Sequence, residues 1–415
     1  MSIPIKYLFA YLFNLCIVLF FSSPVMAGGP AHGGKAAGMG TAFAAVADDP
    51  STIAHNPGGI GFLEGTRLYL GAMAVAPNTR YKSDDGPSEE TETQIFVVPH
   101  AYLTSDLEWN GVTVGLGFFS PFGIGGRKWP NDGALQYYSR ESLVATFLAN
   151  PVAAWRVLPT LSIAFGVDYL WTYNHAEQKV DQSMLQAADG TSEFTADGGG
   201  WGWNVGMLWQ VHRQFNIGAA YRSGITADLS GDIKLKDIAP VLQPLFGGSK
   251  MNSHAHTSLD FPDIATLGVA WYPNSRWTVT VEGEWIGWSS FARQTITVDE
   301  PVVNGGFDNS KIDLQWKNSW IAKAGMEMKI DLHWAVRFGY AYLSSPVPAS
   351  TLTPANPDAS QQNYCFGLGY TLDKATFDLF YVFATYQDRE VTNDILSGEF
   401  SNKSHSLGFS VGWQF

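Results

Sequence analysis

The sequence predicts an all-β fold: a 14-stranded antiparallel transmembrane β-barrel with an N-terminal hatch, or plug, inside its lumen. Three observations carry this expectation. From about residue 66 to the C-terminus, hydrophobic residues alternate with small or polar ones along segment after segment. The links between these segments alternate between long and short. Aromatic residues are abundant (15 Trp, 17 Tyr, 26 Phe), while only 15% of the 415 residues are charged. Against ~25% charge in an average domain, this composition excludes a disordered chain. No G-X-Y run or sustained heptad is present, which excludes collagen and coiled coil. The net charge of −13 argues against nucleic acid as a partner, because phosphate binding needs a basic surface.

Taken in order, residues 1–27 read as a secretory signal peptide. Lys6 precedes an apolar stretch to Phe21, and Ser22, Ser23 and Pro24 lead to a Val25-Met26-Ala27 cleavage site. Cys16 falls in the apolar stretch after Phe13-Asn14-Leu15, where a lipoprotein site would have small residues. Only Cys365 then remains in the mature chain, so no intrachain disulfide can staple it.

Residues 28–65 do not alternate. They are rich in Gly and Ala, with Asp48-Asp49-Pro50 and Asn56-Pro57-Gly58 as punctuation. Small residues with few charges suit a packed plug better than a solvated tail. A barrel of fourteen strands also leaves a lumen to fill, since ~8 strands already close around their own side chains.

Residues 66–415 form the expected barrel. The clearest combs are Leu161, Ile163, Phe165, Val167, Tyr169, Trp171; Trp201, Trp203, Val205, Met207, Trp209; and Trp334, Val336, Phe338, Tyr340, Tyr342. Bulky residues occupy one face, with Trp and Tyr toward the strand ends, as aromatic girdles at lipid interfaces require. The other face carries Gly, Ala, Ser, Thr and charges, as a polar lumen does. Fourteen strands are expected near 66–77, 94–103, 111–119, 141–155, 160–174, 200–211, 215–223, 256–272, 276–297, 311–329, 333–343, 362–371, 374–386 and 404–415. Long polar links are expected at 78–93, 120–140, 175–199, 224–255, 298–310, 344–361 and 387–403, with tight turns such as Val157-Leu158-Pro159 between. Long loops outside and short turns in the periplasm are the asymmetry of a bacterial outer-membrane barrel, which makes outer-membrane lipid the solvent of the bulky face.

Scattered motifs resemble the FadL/OMPP1/TodX family of outer-membrane transporters. They are Gly38-Met39-Gly40-Thr41-Ala42 through Asp48-Asp49-Pro50-Ser51-Thr52 to Asn56-Pro57, then Pro121-Phe122-Gly123, Pro262-Asp263 and Trp285-Ile286-Gly287-Trp288-Ser289-Ser290-Phe291. The longest is Arg337-Phe338-Gly339-Tyr340-Ala341-Tyr342 with Ser345-Pro346-Val347-Pro348. The resemblance spans nearly the whole mature chain. It implies a barrel plugged by a hatch that carries hydrophobic molecules, most simply long-chain fatty acids, from loop capture to a lumen pocket. It further implies hatch rearrangement and lateral exit at a kink in the third strand. On that pattern Asn56, Pro57 and Gly58 are the hatch gate, with Gly58 standing where the family usually has Ala. Ser120, Pro121, Phe122 and Gly123 are the lateral opening, since Pro removes a ladder donor and Gly weakens pairing.

Two further groups follow from the residues themselves. Val241, Leu242, Leu245 and Phe246 make an apolar patch in a link expected to be water-exposed, which marks a capture site or simple packing on the 175–199 link. Alternation aims Arg222, Lys323 and Arg337 into the lumen as candidates for a ligand carboxylate. Asp168, Glu282 and Glu284 point inward too, so an ion-pair network bracing the barrel is the plainer reading of these cations. No G-x-S-x-G, Walker loop or complete G-x-G-x-x-G is present, and the chain is not expected to be an enzyme. His254 and His256 share a strand face without a clear third ligand, so no metal or other cofactor is implied. The chain is taken as a monomer. Uptake of aromatic hydrocarbons by the same route, or a permanently plugged adhesion or structural barrel, are the alternatives.

Overall fold

A computed structural model describes residues 32–84, 86–298, 310–393 and 396–415, those at 292–294 and 310–312 by backbone alone. The expected signal peptide (1–27) and residues 28–31 of the expected hatch lie outside these. Fourteen antiparallel wall strands run in chain order around a closed barrel. The first seven are β1 (Thr66–Ser83), β2 (Phe96–Ser105), β3 (Val112–Phe119, resuming as Ile124–Lys128), β4 (Glu141–Leu158), β5 (Leu161–Val180), β6 (Gly190–His212) and β7 (Phe215–Arg222, resuming as Ile225–Lys236). Then come β8 (Lys250–Phe261, resuming as Ile264–Asn274), β9 (Trp277–Ile286, resuming as Arg293–Val298), β10 (Ser310–Asp313, resuming as Ser319–Lys329), β11 (Trp334–Leu343), β12 (Gln361–Leu372), β13 (Ala375–Tyr386) and β14 (Ser397–Gln414). The ladder from Arg67↔Gln414 to Ser83↔Gly398 joins β1 to β14 and leaves no edge.

The alternating combs become the lipid face. Ile163, Phe165, Trp203, Phe338, Phe366 and Phe409 all stand outward and exposed, while the residues between them turn inward. Trp209, Trp271, Trp334 and Trp413 lie near the tight-turn end, and Trp201, Trp285 and Trp320 lie higher, as two girdles.

Two expectations about the links are corrected. Much of 175–199 and 224–255 is strand: β5 and β6 continue to Val180 and from Gly190, and β7 and β8 run to Lys236 and from Lys250. These hairpins rise beyond the bulky band, where the outer face no longer has to be apolar, so pairing persists after alternation fades. Conversely, the spans 256–272, 276–297 and 311–329 are not single strands. They break at Pro262-Asp263, at 287–292 and at 314–318. Pro262 has no N–H to give the ladder, and after Gly287 the chain turns into the short helix Trp288–Ala292.

Residues 32–65 lie inside the barrel. They form α1 (Gly34–Gly38), α2 (Thr52–His55) and a 3-10 turn, Pro57–Phe62. Met39, Phe43, Ala45 and Val46 pack with Ala270 of β8, and Ile53, Ile60 and Leu63 join the main apolar cluster of the lumen. A buried side chain of this kind is worth ~1.5–3 kcal/mol. These are helices too short to stand alone, so the barrel wall holds them in shape.

Candidate functional site

The third strand is broken where Pro121 and Gly123 make pairing fail. Phe119 pairs with Leu148 of β4 and Ile124 with Ala145, so residues 120–123 stand against only Thr146 and Phe147. The surplus folds inward: Ser120 and Phe122 are buried, and Gly123 takes φ +87°, a conformation that favours glycine. Thr146 stabilises the turn, its N–H and Oγ1 both donating to the Gly123 carbonyl (3.1 and 2.9 Å). On the other side, β2 pairs with β3 only from Ala101 to Ser105. Phe96–His100 therefore have β1 on one flank and no β3 ladder on the other. The wall lacks a strand ladder beside the kink, and exposed Val97 (58%) stands at that margin.

A cavity of about 150 Å³ lies inside, bounded by Pro121 and Phe122 of the kink, by His32, His55 and Pro57 of the plug, and by Trp288 opposite. Aromatic rings roof it toward the loop end. Phe122 stacks on Phe261 (4.8 Å between centroids) and meets Trp288 edge-on (5.9 Å), and Trp288 meets Trp316 (5.3 Å). Phe291 completes the group, 4.9 Å from Trp316. Thus the strand-3 kink and the break in β9 meet across the lumen through one aromatic cluster. Trp288 and Phe291 lie within the motif quoted above, but their convergence with Phe122 depends on two distant breaks and has no local signal.

The three cations are all paired. Arg222 donates to Asp168 (2.5 Å) and, through Nη2, to the Ile53 carbonyl (3.4 Å). Lys323 donates to Glu282 (2.9 Å) and Glu284 (2.6 Å). Both line the cavity. Arg337 does not: it lies toward the tight-turn end, beneath Gly38, bound to Glu327 (2.7 Å) and Asp378 (2.5 Å). Breaking any such buried pair from one side leaves an uncompensated charge, so these groups brace the lumen.

Asn56, Pro57 and Gly58 dock on β6. The Asn56 Nδ2 donates to the carbonyls of Met207 (2.9 Å) and Ala44 (2.7 Å), while its Oδ1 accepts from the Gly58 N–H (3.0 Å). A Cβ on residue 58 would come within 2.8 Å of the Met207 and Leu208 backbone, so glycine here permits a close approach. Next to this turn, burial holds the His55 imidazole down to about 4 and the His32 imidazole well below the usual range, so both are neutral.

The apolar patch is split. Val241 and Leu245 are exposed, Leu242 is buried and Phe246 half-buried, around the short helix α3 (Gln243–Phe246). The hairpin tip docks on the neighbouring 181–189 turn, where the Gln182 Oε1 accepts from the Ala239 N–H (2.7 Å) and its Nε2 donates to the Asp237 carbonyl (2.7 Å). None of the four residues lines the cavity.

Comparison with known proteins agrees with this architecture. The model of the family described as outer membrane protein transport protein (OMPP1/FadL/TodX) matches residues 18–415. A long-chain fatty acid transport protein of Escherichia coli O6:H1 is 20% identical, over 92% of each chain. The crystal structure of a Pseudomonas aeruginosa FadL homologue superposes with a TM-score of 0.80 at 18% identity, covering 93% of this chain and 99% of that one. That of the Pseudomonas putida toluene transporter TodX gives 0.76 at 17%, with the same coverage. At such identities the structural likeness concerns the fold.

Proposed function

This chain belongs to the OMPP1/FadL/TodX family of outer membrane transport proteins, and from that premise we propose that it takes up small hydrophobic molecules by passive diffusion through a lateral exit. Its place is the bacterial outer membrane. The observation that carries the proposal is the inward kink at Ser120–Gly123, which both lines the cavity and leaves the wall beside Phe96–His100 unpaired. A ligand leaving there enters lipid directly and never crosses the polar periplasmic face. Asn56, Pro57 and Gly58 are the gate in this reading, because Pro57 lines the cavity while Asn56 and Gly58 seat the turn on β6. Val241 and Leu245 offer the first apolar surface to a ligand outside. The open cavity favours uptake over a permanently shut adhesion or structural barrel.

Fatty acid and aromatic hydrocarbon separate on charge and size. A long-chain fatty acid, carried by the E. coli relative's name, would bring a carboxylate to cations that are already paired. The cavity is also of the size that holds a single aromatic ring, ~150 Å³ being enough for benzene in an engineered apolar cavity. An uncharged ligand of that size is therefore the reading preferred.

The experiment is uptake of labelled toluene and oleate by cells with and without the gene, repeated with Pro121 and Phe122 deleted. Removing two residues restores the register on both sides of the kink. Gene-dependent toluene uptake that drops at least tenfold in a folded deletion variant is expected. Uptake unaffected by the deletion would sink the lateral route, and oleate-only uptake would return the substrate to fatty acids.

A further inference from the structure

The lipid face of the barrel is uneven. A groove of about 660 Å³ crosses the outside of β4 to β7. Trp155, Ile163, Met207 and Ala219 follow one another in one cross-strand row, and Phe165, Val205 and Tyr221 in the next. Trp155, Ile163 and Phe165 stand exposed along the margin. Met207 and Ala219 are half-buried, and the single methyl of Ala219 leaves a step beside longer side chains. The lining is aliphatic and aromatic, with the Tyr221 hydroxyl donating to Asp263 (3.2 Å). In a membrane wall, hydrocarbon fills such a recess.

Depth and charge say which hydrocarbon. The tight turn between β6 and β7 lies about six residues past Met207. At ~3.3 Å per residue and a tilt of ~40°, the groove stands about 15 Å from that turn, roughly half of a ~30 Å hydrocarbon core. Only a lipid tail reaches so deep. Trp209 and the stacked pair Phe215 and Trp271 (6.4 Å between centroids) occupy the girdle between groove and turn. Arg213 lies in the turn itself, and Arg276 lies in the neighbouring turn between β8 and β9. The two turns are fastened together. The Tyr272 N–H donates to the Gln214 carbonyl (2.8 Å), and the Gln214 Nε2 donates to the Pro273 carbonyl (3.2 Å). Lys329 follows, its N–H donating to the Arg276 carbonyl (2.9 Å). All three cationic side chains are exposed, without a carboxylate in ion-pair distance among the described residues. The nearest acid along this rim, Asp331, caps the His333 and Trp334 N–H groups of its own turn. The loop end of the same sector is charged the other way, with Asp197, Asp228 and Asp260 on the outer face of β6 to β8.

We propose that the β4–β7 groove and the Arg213–Arg276 rim together form a binding site for an anionic phospholipid of the periplasmic leaflet. One acyl chain lies in the groove, and the phosphate faces the two arginines. Guanidinium groups suit a phosphate, because they offer several fixed donors and carry their charge at every physiological pH. A lipid of the outer leaflet could also send a tail to mid-membrane, but its phosphates would meet the acids of the loop end. The site lies on the opposite face of the wall from the lumen cavity and does not depend on what that cavity carries.

Native mass spectrometry of the purified mature protein in detergent tests this, with phosphatidylglycerol, diacylglycerol of the same chains, and hexa-acylated lipid A as probes. Phosphatidylglycerol should be retained about tenfold or more over diacylglycerol, which has the tails without the phosphate. Replacing one cation near an anionic headgroup should weaken retention about fivefold, so Arg213→Gln and Arg276→Gln should each lower phosphatidylglycerol and leave diacylglycerol unchanged. Ala219→Trp fills the groove and should lower both lipids alike. All three substitutions are at the surface of the wall, and the lipid series on the unaltered chain decides the matter should any variant fail to fold. Equal retention of phosphatidylglycerol and diacylglycerol would overturn the arginine rim. Unchanged retention in folded Ala219→Trp would overturn the groove, and lipid A displacing phosphatidylglycerol would overturn the assignment to the periplasmic leaflet.

Discussion

The two helices of the hatch meet the barrel on opposite terms. Around α1 the contact is ionic and dense. The Lys35 ammonium pairs with Asp48 (2.7 Å) and Glu327 (3.4 Å), Arg337 joins Glu327 to Asp378, and the Tyr69 hydroxyl donates to Asp378 (2.7 Å) while accepting from the Gly34 N–H (3.1 Å). Around α2 the contact is mostly apolar, and the Arg222 guanidinium donates to its Ile53 carbonyl (3.4 Å). Ile53 lies against Gly115 and Gly117, on the stretch of β3 that runs into the kink, and the Arg156 Nε donates to the Gly61 carbonyl (3.0 Å). Freeing α1 means exposing or orphaning buried charges. Freeing α2 costs packing and the guanidinium-to-carbonyl hydrogen bonds of Arg222 and Arg156, but separates no ion pair of its own. On the uptake route proposed above, α2 is the half expected to move, and its contact with β3 links it to the kink.

The comparison breaks most visibly at Arg337. Its replacement by Met leaves Glu327 and Asp378 buried beside each other, a loss of about 3–5 kcal/mol. The temperature at which the folded band is lost in heat-modifiable electrophoresis should fall sharply, and a variant as stable as the parent would show that α1 is not clamped by charge. Gly117→Val is the counterpart on the α2 side. A Cβ there already comes within 2.8 Å of the Ile53 side chain, so the expected cost is about 1–3 kcal/mol of overpacking. The barrel should remain folded while α2 is displaced, seen as raised conductance in planar bilayers; a silent channel would mean that α2 is as fixed as α1. The smallest effect is expected for Asp48→Asn. The Asp48 side chain is half exposed (49%) and Lys35 keeps Glu327, so the change should be under about 1 kcal/mol by the same thermal assay. A larger loss would extend the charged clamp to the hatch surface.

Some of this was legible from local pattern. The combs through Ile163, Trp203 and Phe338 mark the lipid face because strand side chains alternate with a period of two wherever the strand lies. Pro121 and Gly123 mark the break in β3 because both disfavour pairing whatever their partner. The inward aim of Arg222, Lys323 and Arg337 follows from the same alternation.

What these cations touch was not legible. Arg222 meets Asp168 from a strand two places away in the wall, and Arg337 meets Asp378 from another, through registers that no single segment encodes. The extents of β5 to β8 were underestimated because pairing outlasts the alternation that announces it. His32, a lone histidine in a glycine-rich stretch, carries no pattern at all. Its place against Phe119 is set by the packing of residues 32–65 in the barrel. The sequence by itself determined which face of each strand meets lipid, where the third strand must fail and that a non-alternating segment precedes the barrel, since these are properties of neighbouring residues. Only the tertiary structure decided which charges cancel, where the cavity lies and which polar atoms remain unpaired. Those depend on the distance between side chains far apart in the chain, and strand register, break geometry and hatch docking set that distance together.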